Sequence, residues 1–276
     1  MLAKKILAVA VLGAFALPAV GFAEEAASPH TITGNLSFVS DYVFRGVSQT
    51  FSNPAVQGGF DYSHSSGIYL GTWGSNVSST QYTNANMEWD FYGGYTSKIT
   101  EDVGYNVGLI YVLYPDGETA PGASPSEKWD TAELYGSISW KWLTAKASYA
   151  LTNFYGIGKD GFIPTHFDTG ASSADDAANP GDSDGSIYLE LNASYELPAK
   201  LMLNAHVGHQ TIEGYEKLDY TDFKIGVSKE FSGFNFGLAY TDTDADDYTL
   251  FKLSDPKGGD EKLADGRLIL SVTKTF

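Results

Sequence analysis

From Leu36 onward, apolar and polar residues alternate with a period of two. Leu36, Phe38, Ser40, Tyr42 and Phe44 form one series, and Ser37, Val39, Asp41, Val43 and Arg45 form the other. Such alternation predicts a strand with one apolar and one polar face. On this reading Asp41 and Arg45, within "SDYVFRGVSQT" at 40–50, share a polar wall. They stand roughly 13 Å apart at about 3.3 Å per residue, too far to pair with each other. A helix would instead have made them neighbours.

The pattern recurs. Met87, Trp89, Phe91 and Tyr95 alternate with Glu88, Asp90 and Tyr92, and Leu189 and Leu191 alternate with Glu190 and Asn192. Twelve such segments begin near residues 34, 55, 67, 87, 103, 132, 143, 186, 201, 220, 234 and 267. Most have the length of about 9–11 residues that crosses a bilayer when tilted. Short links such as "KW", "LPAK" and "FSG" alternate with long polar ones such as "PDGETAPGASPSEKWD". An even strand number with short turns at one end and long loops at the other is the plan of an outer-membrane barrel. The expected fold is therefore all-β: a transmembrane, antiparallel, up-and-down β-barrel of twelve strands.

The ends agree with this plan. Residues 1–23, "MLAKKILAVAVLGAFALPAVGFA", carry Lys4 and Lys5, a short apolar core and small residues before Ala23, as a cleaved secretory signal does. Residues 24–276 then form a single barrel domain. The last segment places Leu268, Leu270, Val272, Lys274 and terminal Phe276 on one face. That resembles a signal for the barrel-insertion machinery except at Lys274, where an aromatic residue is usual and the lysine would snorkel to the interface. Trp140 and Trp142 flank a turn where an aromatic belt is expected.

Composition narrows the partners. Of 17 basic residues, Lys4 and Lys5 lie in the leader, leaving 15 against 34 acidic residues, a net charge of −19. So acidic a chain argues against nucleic acid. Without cysteine there are no disulfides, so stability outside the cytoplasm must come from extensive burial or hydrogen bonding.

The segments "NLSFVSDYVFRGVSQT", "WDFYGGY" at 89–95 and the terminal "TKTF" resemble the TorF-type porin family of proteobacteria. That resemblance implies a Gram-negative outer-membrane barrel with a pore, embedded in lipid and lipopolysaccharide, and carries no catalytic residues.

No GxSxG, HExxH or P-loop occurs, so no enzyme and no cofactor are expected. His206 and His209 fall on opposite strand faces and cannot share a metal. Two acidic loop runs, "DTDADD" at 242–247 and "DDAANPGDSDG" at 175–185, could hold calcium or be solvated loops, and neither completes a known calcium loop.

If the apolar face meets lipid, the charged face lines the lumen. That parity puts Asp41, Asp61, Glu88, Asp90, Glu133, Glu190, Glu196, Asp222 and Glu230 inside, with Arg45, Lys146, Lys224 and Arg267. Pairing across the first hairpin would set Arg45 near Gln57 and Asp41 near Asp61, which calls for either a compensating base from the closing strand, Arg267, or a wet pore. The selectivity residues expected are Asp41, Arg45, Asp61, Glu88, Asp90 and Arg267, in a passive, cation-preferring channel for small polar solutes. The alternative is a non-conducting structural or surface-binding barrel.

Overall fold

The computed structural model describes residues 28–120, 126–160, 181–245, 252–254 and 260–276. Among them, twelve antiparallel strands close into a barrel. In chain order these are β1 (His30–Val39), β2 (Ala55–His64), β3 (Ile68–Asn76), β4 (Met87–Lys98), β5 (Val103–Leu113) and β6 (Thr131–Trp140). The second half comprises β7 (Leu143–Ala150), β8 (Ile187–Leu197), β9 (Leu201–Thr211), β10 (Tyr220–Phe231), β11 (Phe234–Thr243) and β12 (Arg267–Thr275). Each strand pairs with its sequence neighbour, and β12 closes the sheet on β1, with Leu36 opposite Lys274 and Phe38 opposite Val272. Closure leaves no sheet edge, the one β-architecture that satisfies every backbone group in lipid.

Alternation decides which side each residue meets. Phe38, Phe60, Phe91, Leu109, Ile138 and Leu191 stand exposed on the outside. Their strand neighbours Ser37, Asp90, Ser137 and Glu190 face in. A continuous apolar outer band of this kind belongs in a bilayer. Lys274 Nζ donates to the Gly233 carbonyl at 2.9 Å and lies 5.2 Å from the Phe234 ring centre, which anchors it at the interface as a snorkelling lysine.

Tyrosines cover much of the inner wall. Tyr135 lies across Gly108 and Tyr188 across Gly208, close enough that a side chain at either glycine would collide with the phenol. Tyr69 Oη sits 2.6 Å from Tyr135 Oη and donates to Asn106 Oδ1 at 2.8 Å.

The first strand departs from expectation. It ends at Val39, and residues 40–54 turn into the barrel instead of continuing along the wall. Val43–Phe44 pairs with Val47–Ser48 as a miniature hairpin. Its two-residue tip, Arg45 (φ 45°) and Gly46 (φ 80°), has both residues at positive φ, the mirror-image turn that such tight hairpins favour. A Cβ at position 46 would collide with Thr243 and Asp222, so only glycine fits. Tyr42 and Phe44, expected to face lipid, are buried at 2% and 8% exposure. The period-two signal was real but belongs to the inner ladder.

Candidate functional site

The inward hairpin and the wall residues that hold it form the site. Arg45 reaches from the tip to β6, where Nη1 and Nη2 donate to Glu133 Oε1 and Oε2 at 2.9 and 2.7 Å. Nη1 also donates to Gln210 Oε1 on β9 at 2.8 Å, and the guanidinium lies 4.2 Å from the Tyr188 ring centre. A planar fork suits this combination of bidentate carboxylate and aromatic face. Burial opposes the Arg45 charge, and the Glu133 carboxylate more than offsets it, so the pKa is raised and the cation is held. A non-glycine residue at positive φ costs about 1–2 kcal/mol, and these contacts hold it there.

Asp41 makes the second clasp. Ser48 Oγ and Thr50 Oγ1 donate to its Oδ1 at 2.7 and 2.8 Å, while Arg267 Nη1 donates to Oδ2 at 2.8 Å. Arg267 is thus the compensating base expected of the closing strand. Arg45 is not near Gln57, and Asp41 is not near Asp61: Gln57 pairs with Ser37, and Asp61 with Thr33. The first hairpin takes a different register from the expected one, and the chain leaves the wall after Val39.

Glu88 makes the third clasp. It accepts from Tyr42 Oη of the hairpin at 2.7 Å and from Tyr114 Oη of the β5–β6 connection at 2.6 Å. Burial first, then the Glu88 charge, holds both phenols well above their ordinary pKa, which keeps them as donors. Above the hairpin, the long connections pack an aromatic cap: Tyr82 stacks on Tyr114 with centres 4.4 Å apart, and Tyr155 lies 5.6 Å from Phe44.

The other charges sort by wall. On β7–β10, Lys146 pairs with Glu190 at 3.1 Å, and His206 Nε2 lies 3.0 Å from Asp222 Oδ2. Tyr188 Oη donates to Asp222 Oδ1 at 2.6 Å, and Lys224 interacts electrostatically with Asp222 and Glu190. On β2 and β4, Asp61 accepts from Tyr92 Oη at 2.6 Å, Glu88 has its two phenols, and Asp90 is buried. The six expected selectivity residues therefore separate into a clasp set (Asp41, Arg45, Glu88, Arg267) and an acidic wall (Asp61, Glu88, Asp90), with Glu88 in both. Sequence parity included Glu133 but not its partnership with Arg45. Gln210 and the tyrosines carry no formal charge, so the charge pattern of the inward face does not reveal them.

Of the acidic loop runs, residues 175–180 and 246–247 lie outside the described residues. Within the described part, Asp182 pairs with Lys159 at 2.7 Å, and Asp244 accepts from the Thr221 backbone N–H at 2.5 Å. His206 faces the lumen and His209 the outside.

These features define a membrane β-barrel with a polar lumen barred at its loop end by an inward hairpin. The chain belongs to the family described as "Bacterial protein of unknown function (Gcw_chp)", whose model matches residues 23–276. That is the family matched, rather than one bearing the TorF-type name suggested by the motifs. No curated protein matches the chain. Solved structures similar to it include the KdgM porin (7% identity, TM-score 0.49, covering 88% of this chain and 99% of that one). The NanC porin is similar at 8% identity and TM-score 0.45, over 89% and 98% of the two chains. OccAB4 of Acinetobacter baumannii is similar at 13% identity and TM-score 0.37, over 88% and 56%. At these values the fold and chemistry of this chain rest on its own strand pairing and side-chain contacts.

Proposed function

We propose that the protein is a channel of the Gram-negative outer membrane for passive diffusion of small polar solutes, with an acidic, cation-preferring lumen. The observation that carries this reading is the polar interior below the hairpin. Thr33, Asn35, Asp61, Asn192 and Asn204 are only partly buried there, as polar side chains lining water-accessible space are. The hairpin reaches into the lumen as far as Glu133 and Gln210 and so serves as the constriction. Likeness of the "SDYVFRG" segment to TorF-type porins agrees with the same reading. One observation favours a second, non-conducting barrel: the aromatic cap of Tyr82, Tyr114, Trp129 and Tyr155 over the hairpin. Partners on either reading are lipid, lipopolysaccharide and the insertion machinery.

Planar-bilayer recording tests the channel directly. A salt gradient should give a reversal potential of cation-selective sign. Changing Glu88 and Asp90 together to Gln and Asn should reduce that selectivity, most at low salt, where screening is weak. Folded protein that never conducts would establish the structural barrel instead. Anion selectivity would refute the assigned lumen charge.

Orientation is tested separately. An epitope inserted between Lys159 and Gly181 should be labelled on intact cells, and one at Pro198–Lys200 only after the outer membrane is opened. The opposite labelling would invert the barrel.

A further inference from the structure

Asp90 is the exception to the pairing of the lumen's buried and half-buried carboxylates. Asp41, Glu133, Glu190 and Asp222 each meet a basic side chain, and Glu88 and Asp61 each accept from phenols. Asp90 is only 2% exposed, and no donor among the described residues reaches its Oδ1. The charges that act on it, Glu88 and Glu133, have its own sign. A buried, isolated carboxylate persists only by gaining a counter-charge or by taking up a proton.

The surroundings say what kind of charge fits. Asp90 faces inward on β4 with Trp73 directly opposite on β3, so their Cβ atoms stand about 4.5–5.5 Å apart. Tyr42 of the hairpin meets the Trp73 ring edge-on at 5.4 Å. Glu88 and Tyr92 flank Asp90 on the same face, two residues to either side. Magnesium and calcium want six or more oxygens, and no group of three metal-binding side chains occurs among the described residues. A weakly hydrated ammonium instead suits one carboxylate lined by aromatic rings.

We infer that Asp90, Trp73, Tyr42 and Glu88 form a binding site for the ammonium group of an organic cation in the lumen. The inference deepens the cation-preferring channel and rests on it for how such a solute arrives. Binding itself needs no conduction. The rings and the second carboxylate favour a quaternary ammonium over a hydrated sodium ion, which would have to shed its water to contact them.

The test is calorimetric titration of the purified, detergent-solubilised protein with choline chloride, against sodium chloride at equal ionic strength. Saturable choline binding is expected. Asp90→Asn should weaken it by at least about tenfold, and Trp73→Leu should weaken it while Trp73→Phe retains part. Folding of each variant is checked by circular dichroism, and the Trp73 pair keeps the test decisive should Asp90→Asn misfold. No binding by the wild type, or equal binding by Asp90→Asn, overturns the site. So does an infrared carboxylic-acid band in the wild type that disappears in Asp90→Asn, because a proton would then supply the counter-charge. Conduction without choline binding overturns the site and spares the channel. Binding without conduction upholds the site and removes the channel.

Discussion

Arg45→Ala is expected to free the hairpin, raise single-channel conductance and expose residues 43–50 to protease. Arg45 and Glu133 are buried together at 4% side-chain exposure each. Truncating the arginine leaves the carboxylate unpaired inside the barrel, at a cost of about 3–5 kcal/mol. The tip also loses Gln210 and the Tyr188 face, while alanine at positive φ keeps the turn strained. Two effects are mixed in such a variant: an orphaned charge and a released hairpin. Adding Glu133→Gln to Arg45→Ala separates them. The double variant should regain most of the melting temperature, because the stranded charge is gone, yet stay open, because the clasp is still missing. An Arg45→Ala protein that melts and conducts like the wild type would show that the aromatic cap alone holds the hairpin.

That dependence on Arg45 explains what the sequence hid. The wall was legible because lipid and lumen impose opposite demands on adjacent residues, so Leu189, Glu190, Leu191 and Asn192 announce their sides without a structure. Charge balance also pointed correctly to Arg267 for Asp41. The hairpin was not legible, because alternation reports that a segment is extended and not which strand it pairs with. "VFRGVS" alternates whether it continues β1 or folds on itself; Gly46, between Val43–Phe44 and Val47–Ser48, was the one local cue. Which carboxylates are matched was not legible either: Asp41, Glu133, Glu190 and Asp222 meet basic side chains, whereas Asp61 on β2 and Glu88 on β4 accept from phenols. The tyrosines carry no formal charge, so parity by charge passed over side chains that cover much of the inner wall.

Leu191→Arg is expected to block assembly, and Asn192→Arg to be tolerated. Both lie midway along β8; Leu191 is 46% exposed on the lipid side, opposite Val207 and Ala145. A charge at that depth on the lipid face costs about 2–4 kcal/mol, a large part of the stability of a barrel this size. Asn192 faces the lumen, where its Nδ2 already donates to Glu190 Oε2 at 2.8 Å. An arginine there would keep that carboxylate as its partner, with Lys146 and His206 close enough to make the gain small. The readout is the fraction of protein that resists unfolding in unheated detergent gels after expression. Full-length Leu191→Arg should accumulate unfolded, and Asn192→Arg should run as a folded barrel. Because one residue of slip exchanges the two faces of a strand, equal damage from both substitutions would place β8 in the wrong register and undo every lumen assignment made from it.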